Sequence, residues 1–165
     1  MMAATRDHIL QTLDSLGVGY ECFLHPAITT MEEGAAIARQ IGFMPCKNLF
    51  LVNKQKQYFL LVLQGEKRFS AKDVAQQISS SHLSLASLDS MGALLHADRG
   101  AASILGVIFD EKQQVHVLID KDVLNSEFIA CHPCENTCTV KLHTAEVINT
   151  LLPETNHGYL AVDIP

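Results

Sequence analysis

Lys47-Asn48-Leu49-Phe50-Leu51-Val52-Asn53, the spacer Lys54-Gln55-Lys56, and Gln57-Tyr58-Phe59-Leu60-Leu61-Val62-Leu63 decide how this chain is built. Two apolar runs of strand length joined by three polar residues read as a β-hairpin. Neither run alternates cleanly between apolar and polar residues. Each strand is therefore expected to be central, with both faces covered.

The flanking sequence supplies the covering layers. Toward the N-terminus, Arg6 to Leu16 places Ile9, Leu10, Leu13 and Leu16 on one helical face, with Thr5 as the expected N-cap and Gly17 as the stop. Tyr20 to Leu24 reads as a short strand running into His25-Pro26. Thr30-Met31-Glu32-Glu33 is a capping box, opening a helix that runs through Ala35, Ala36 and Ile37 to Gly42. Toward the C-terminus, Ser70 starts one helix and Ser87 caps another that reaches Leu95.

Beyond Asp98-Arg99-Gly100, strands are expected at Ile104 to Phe109 and Val115 to Asp120, around the turn Asp110-Glu111-Lys112-Gln113. A short helix at Lys121 to Ser126 follows, then strands at Phe128 to Cys131 and Thr137 to Leu142. Thr144-Ala145-Glu146-Val147 opens a last helix, expected to end before Pro153. Hairpins mix with crossovers, which predicts an α/β fold: a single domain over residues 1–165, with a mixed sheet flanked by helices.

Composition limits what such a domain does. The 165 residues are 48% hydrophobic and 18% charged, which excludes a disordered chain. The apolar runs, such as Leu60 to Leu63, are too short to span a bilayer. No apolar segment follows the opening Met1-Met2-Ala3-Ala4-Thr5-Arg6-Asp7, so no secretory signal is expected and the cytoplasm is the expected compartment. A net charge of −6 argues against wrapping a long duplex, but not against touching a short single-stranded end. Six of the twelve Lys and Arg residues fall between positions 47 and 72 (Lys47, Lys54, Lys56, Lys67, Arg68, Lys72), against one acid, Glu66.

Two constellations could carry chemistry. Lys47 stands at the entrance of a buried strand, where its cation either snorkels into water or faces a phosphate or a polarised carbonyl. Cys131-His132-Pro133-Cys134-Glu135-Asn136-Thr137-Cys138 offers zinc-type ligands, with His143 nearby, but no second cysteine pair completes a knuckle. Three packed free thiols are the plainer reading, and a small zinc or thiol redox protein remains an alternative. No local signature selects a Cys–His nucleophile, and nothing resembles a phosphate-binding loop.

Several segments together match one known family. His25-Pro26 with Thr29/Thr30 and Glu32-Glu33, Cys46-Lys47-Asn48-Leu49-Phe50-Leu51, Gly65-Glu66-Lys67-Arg68, Asp120-Lys121-Asp122-Val123-Leu124 and His132-Pro133-x-x-Asn136-Thr137 occur in its order and spacing. The pattern resembles the YbaK-like family, the editing domain also inserted in bacterial prolyl-tRNA synthetases. Its Lys-Asn-Leu-Phe-Leu form is similar to free-standing proteins that deacylate alanyl-tRNA(Pro).

The resemblance implies a trans-editing hydrolase that cleaves the ester of a mischarged aminoacyl-tRNA, with no cofactor and no metal. Its implied partners are the 3′ CCA end of the mischarged tRNA and prolyl-tRNA synthetase. It assigns catalysis to Lys47 and to the backbone of Gly100, Ala101, Ala102 and Ser103. It assigns substrate binding to His132, Asn136, Thr137, Asp120, His25, Lys67 and Arg68, with His132 shaping the amino-acid pocket. Ile104 stands where relatives carry a proline. Proline fixes φ and removes a donor, so its loss predicts a looser loop and turns attention to a second reading, a tRNA-end binding module without turnover.

Overall fold

The two runs at Lys47 and Gln57 do pair antiparallel, with Lys47 opposite Leu63 and Val52 opposite Tyr58. In the computed structural model, which describes residues 2–165 and the side chains of residues 4–165, eight strands form two sheets. The strands are β1 (Tyr20–Leu24), β2 (Lys47–Val52), β3 (Tyr58–Leu63), β4 (Ser84–Leu85), β5 (Val115–Asp120), β6 (Phe128–Cys131), β7 (Cys138–His143) and β8 (Tyr159–Val162). The mixed sheet runs β4-β2-β3-β5-β8, with β3, β5 and β8 mutually parallel. A second, antiparallel sheet runs β1-β7-β6.

The covering expected for β3 is observed. Phe50, Leu60, Val62, Val117 and Ile119 face a core shared with Ile9 and Leu13 of helix α1 (Met2–Ser15) and with Ile129, Val140 and Leu142 of the second sheet. Leu51, Phe59, Leu61, Leu63 and Leu118 face the other way, against Val74 and Ala75 of α3 (Ala71–Gln77). Leu60 and Leu61 have no exposed surface, and truncating either to alanine would cost about 2–5 kcal/mol.

The capping signals were legible. Thr30 and Glu33 form a reciprocal capping box on α2 (Met31–Ile41), which ends at Gly42 in the left-handed region at φ 74°. Ser70 caps α3 and Ser87 caps α4 (Leu88–Leu95). The short helix α5 (Lys121–Leu124) is capped by the Asp120 carboxylate.

Four expectations are corrected. Helix α1 begins at Met2, so Thr5 lies inside it rather than at its cap. Ile104–Phe109 is a 3-10 helix, not a strand. Gly106 lets this run pack closely: a Cβ there would lie 2.9 Å from both the side chain and the carbonyl of Leu95 in α4. Buried on nearly every side, it carries the continuous apolar pattern of an interior strand, and periodicity alone does not separate the two.

The last helix does not stop before Pro153 but continues from Thr144 to Glu154 through a π-helical segment, Val147–Leu151. Pro153 is the second residue of the final turn, directly after the π-helical segment. Finally, Tyr159–Val162 was not expected to be a strand, yet it adds β8 to the sheet edge. Its approach is tied by His157, whose Nε2 meets the Asp110 carboxylate at 2.9 Å, while Asp110 also accepts from the amides of Gln114 and Val115.

Candidate active site at the junction of the two sheets

The amide of Cys46 donates to the carbonyl of Ala130 at 2.8 Å, seating the start of β2 beside the end of β6. Because β1, β7 and β6 are antiparallel, the same end of the second sheet holds the exit of β1, the entry of β7 and the turn between β6 and β7. His25, His132 and Asn136 all sit on those connections, and the rings of His25 and His132 lie 5.9 Å apart.

The hydrogen bonds assign both imidazole tautomers. His25 Nδ1 faces the Pro26 carbonyl at 2.9 Å, so it carries the proton, and Nε2 accepts from the buried Thr139 hydroxyl at 2.8 Å. His132 Nδ1 likewise donates to the Cys138 carbonyl at 2.7 Å, leaving Nε2 as an acceptor. Burial pushes the His132 pKa below the ordinary histidine range, and the neighbouring His25 adds to this. The bond to the Cys138 carbonyl opposes the shift without reversing it. His132 is therefore a neutral imidazole at neutral pH.

The loop 98–104 is stitched to this turn. The Asp98 amide donates to the Cys134 carbonyl at 3.1 Å, and the Ser103 hydroxyl meets the Cys131 thiol. Cys134 makes the turn at φ 64° and packs its thiol on the Leu95 carbonyl. Glu135 anchors the turn from outside, bound by Arg6 at 2.8 Å and by the Thr137 hydroxyl. Asn136 donates to the Ile28 carbonyl at 2.7 Å, so its amide braces the segment leading into α2.

Within the loop, Ala101 N–H is already spent on the Asp98 carbonyl. The amides of Ala102 and Ser103 have no acceptor among the described residues, and Ser103 is fully buried. Buried donors are normally satisfied, so an unpaired one is a feature to account for. Ile104 does not loosen the loop. Its amide, which a proline would lack, donates to Asn48 Oδ1 at 2.9 Å, and its side chain is fully buried.

Asn48 is thus the residue the sequence argument passed over. It was visible next to Lys47, but only the alternation of β2 shows what it does. Asn48 and Phe50 turn to the face that meets Ile104, while Lys47 turns to the face of Leu49 and Leu51. The Lys47 ammonium is half-buried and donates to the Lys67 carbonyl at 2.7 Å. Lys47 therefore stands at the sheet end beside the site, not against the 100–104 loop.

Lys67 and Asp120, both expected at the substrate, are bonded to each other. The Lys67 ammonium lies 2.9 Å from the fully buried Asp120 carboxylate, 2.6 Å from Asp122 and 2.6 Å from the Ile164 carbonyl. Its donors are filled by these partners, which close the sheet end. Arg68 is exposed at this same end. Lys54 and Lys56 sit at the hairpin tip, roughly 17 Å away along a six-residue strand, so the basic run splits between the two ends of the sheet.

The cysteines do not gather into a metal site. Among the described residues, no group of three His, Cys, Asp or Glu side chains is placed to hold a metal. Burial pushes the Cys46 thiol up to about 11 and Cys131 up to about 12, which holds both protonated. A cavity of about 220 Å³ opens next to Cys46, between Phe43-Met44 and Gln64-Gly65. A wider groove of about 600 Å³ lies at the opposite sheet end, between Phe59, His116 and Leu160. Neither is lined by His25, Lys47 or His132.

Residues 25–150 match the aminoacyl-tRNA editing domain, a span that contains both imidazoles, β2 and the 98–104 loop. The chain is 30% identical to the prolyl-tRNA editing protein ProX of Acetoanaerobium sticklandii, over 94% of this chain and 95% of that one. It is 24% identical to the prolyl-tRNA synthetase associated domain-containing protein 1 of Danio rerio, over 92% and 83% of the two chains. In fold it is similar to a crystal structure proposed to be a trans-editing enzyme for prolyl-tRNA synthetase, with a TM-score of 0.74 and 16% identity, covering 97% of this chain and 96% of the other. No helix among the described residues is long and apolar enough to cross a membrane. The chain belongs to the aminoacyl-tRNA editing domain family.

Proposed function

We propose that this protein is a trans-editing deacylase that hydrolyses the ester between a wrongly attached amino acid and the terminal adenosine of tRNA, with alanyl-tRNA(Pro) as its substrate. The observation that carries the reading is the unpaired amide of the partly exposed Ala102, on a loop tied by the bond from Ile104 to Asn48 and stitched to the turn that carries a neutral His132. An aminoacyl ester is already activated. The protein need only place water and stabilise the oxyanion that forms as water adds to the carbonyl. The Ala102 amide is the donor for that oxyanion. The C–O bond then breaks and the ribose oxygen leaves with a proton, the vicinal hydroxyl assisting. No side-chain nucleophile is needed.

Lys47 and Arg68 supply positive charge for the last phosphates, Lys47 exchanging its bond to the Lys67 carbonyl for the substrate. His132 and His25 are the proposed flanks for the amino-acid side chain and would limit its size. Prolyl-tRNA synthetase, whose errors such an enzyme corrects, is the proposed protein partner.

The test is deacylation of alanyl-, seryl- and prolyl-tRNA(Pro) by the wild type, Lys47→Ala and His132→Ala. Wild type should cleave the alanyl ester fastest, Lys47→Ala should lose nearly all turnover with its circular dichroism unchanged, and His132→Ala should narrow the gap between substrates. A missing methylene-sized contact is worth roughly 1–3 kcal/mol of discrimination. If His132→Ala slows all three esters by one factor, His132 acts on chemistry or folding rather than selection. Wild-type protein that binds the charged end without cleaving it would leave a binding module and end the hydrolase reading.

A further inference from the structure

We propose that Cys22 and Cys138 form a reversible disulfide, a modification site that ties β1 to β7 directly beneath His25 and His132. Cys22 lies opposite Val140 and Cys138 opposite Leu24, so the two cysteines are diagonal neighbours on one face of an antiparallel pair. Their sulfurs are 2.8 Å apart as free thiols. A disulfide needs about 2.05 Å, so the sulfurs must close by only about 0.8 Å.

Exposure selects this pair from the five cysteines. Cys22 is exposed, Cys46 is half-buried, and Cys131, Cys134 and Cys138 are buried. Cys131 is held by Ser103 and Cys134 by the Leu95 carbonyl. Burial, with the hydrogen bond to Cys22 adding to it, pushes the Cys138 thiol upward, so Cys22 is the sulfur that meets an oxidant first.

The oxidant class is a hydroperoxide. The Cys22 thiol gives up its proton and its sulfur attacks one peroxide oxygen, the O–O bond breaks, the leaving oxygen takes up that proton and departs as alcohol or water, and Cys22 becomes a sulfenic acid. Cys138 sulfur then attacks Cys22 sulfur. The S–S bond forms, the S–O bond breaks, and the hydroxyl leaves as water with the Cys138 proton. Two thiols have lost two electrons and the peroxide has gained them.

The position makes this cross-link matter. The Cys138 carbonyl holds His132 Nδ1, and the next residue, Thr139, holds His25 Nε2. His25 in turn follows Leu24, the pairing partner of Cys138. Drawing the sulfurs together therefore moves the supports of both imidazoles at once, whatever reaction the site performs.

The test treats the reduced full chain with hydrogen peroxide, alkylates it, and maps the peptides by mass spectrometry. A Cys22–Cys138 peptide should appear, vanish with dithiothreitol, be lost in Cys22→Ser and persist in Cys131→Ser and Cys134→Ser. Because Cys22 is exposed, its serine variant keeps the fold. In parallel, the imidazole NMR signals of His25 and His132 should shift on oxidation and return on reduction. A cross-link through other cysteines, or Cys22 passing to sulfinic acid with Cys138 still reduced, overturns the proposal. A cross-link with unmoved imidazole signals overturns the coupling to the site.

Discussion

Asn48→Ala removes the acceptor for the Ile104 amide, a donor whose residue has no exposed surface. An unsatisfied buried donor costs about 1–3 kcal/mol, and Asn48 is half-buried, so incoming water holds the loss to the lower part of that range. The same amide can be deleted from the other side. Ile104 is the first residue of a 3-10 helix, and Ser103 before it is extended at φ −152° and ψ 141°, the conformation that a following proline demands. Ile104→Pro therefore fits the backbone and removes the N–H, at a separate cost in lost core packing.

In that background Asn48→Ala should cost almost nothing, giving a coupling of about 1–2 kcal/mol in the double-mutant cycle. Urea unfolding of the four proteins, followed by far-ultraviolet circular dichroism, measures it. Equal costs of Asn48→Ala with isoleucine and with proline at 104 would refute the claim that Asn48 holds this loop through the Ile104 amide.

Lys67→Ala strands the fully buried Asp120 carboxylate and should lower stability by about 3 kcal/mol, read from the denaturation midpoint, because the lost pair still touches water on one side. Gly106→Ala drives a methyl against Leu95 at 2.9 Å and should cost about 1–3 kcal/mol, whereas Gly158→Ala, with nothing near its added Cβ, should be neutral in the same thermal melts. His132 carries a depressed folded pKa, so the unfolded chain binds the extra proton below pH about 6.5. Its stability contribution is present above that pH and is lost as pH falls through the folded value. A His132→Gln variant should show a flatter fall in unfolding free energy on acidification, and an unchanged slope would contradict a buried neutral imidazole.

Local signals carried most of the fold. The Lys47–Leu63 hairpin, the Thr30–Glu33 capping box and the Ser70 and Ser87 caps depend on residues within a few positions of one another, and the structure holds each of them. The failures share another cause. Ile104–Phe109 is apolar because it is enclosed, and its close seat on α4, with Gly106 against Leu95, is a contact between segments. Pro153 marks the end of a helix by local rule, but the π-helical turn before it carries the helix past it.

The site divides in the same way. The sequence by itself determined the family, the residue types His25, Lys47, Asn48 and His132, and the likeness to an editing domain, because motif order survives without coordinates. Only the tertiary structure decided which of those side chains work together. A strand turns successive residues to opposite faces, so Asn48 meets the 100–104 loop while its neighbour Lys47 does not. Lys67 and Arg68 are adjacent and equally basic on paper. One is consumed by Asp120, Asp122 and the Ile164 carbonyl, and the other is left in solvent. Whether a charge is free depends on partners up to 97 positions away, and only folding brings those partners within reach.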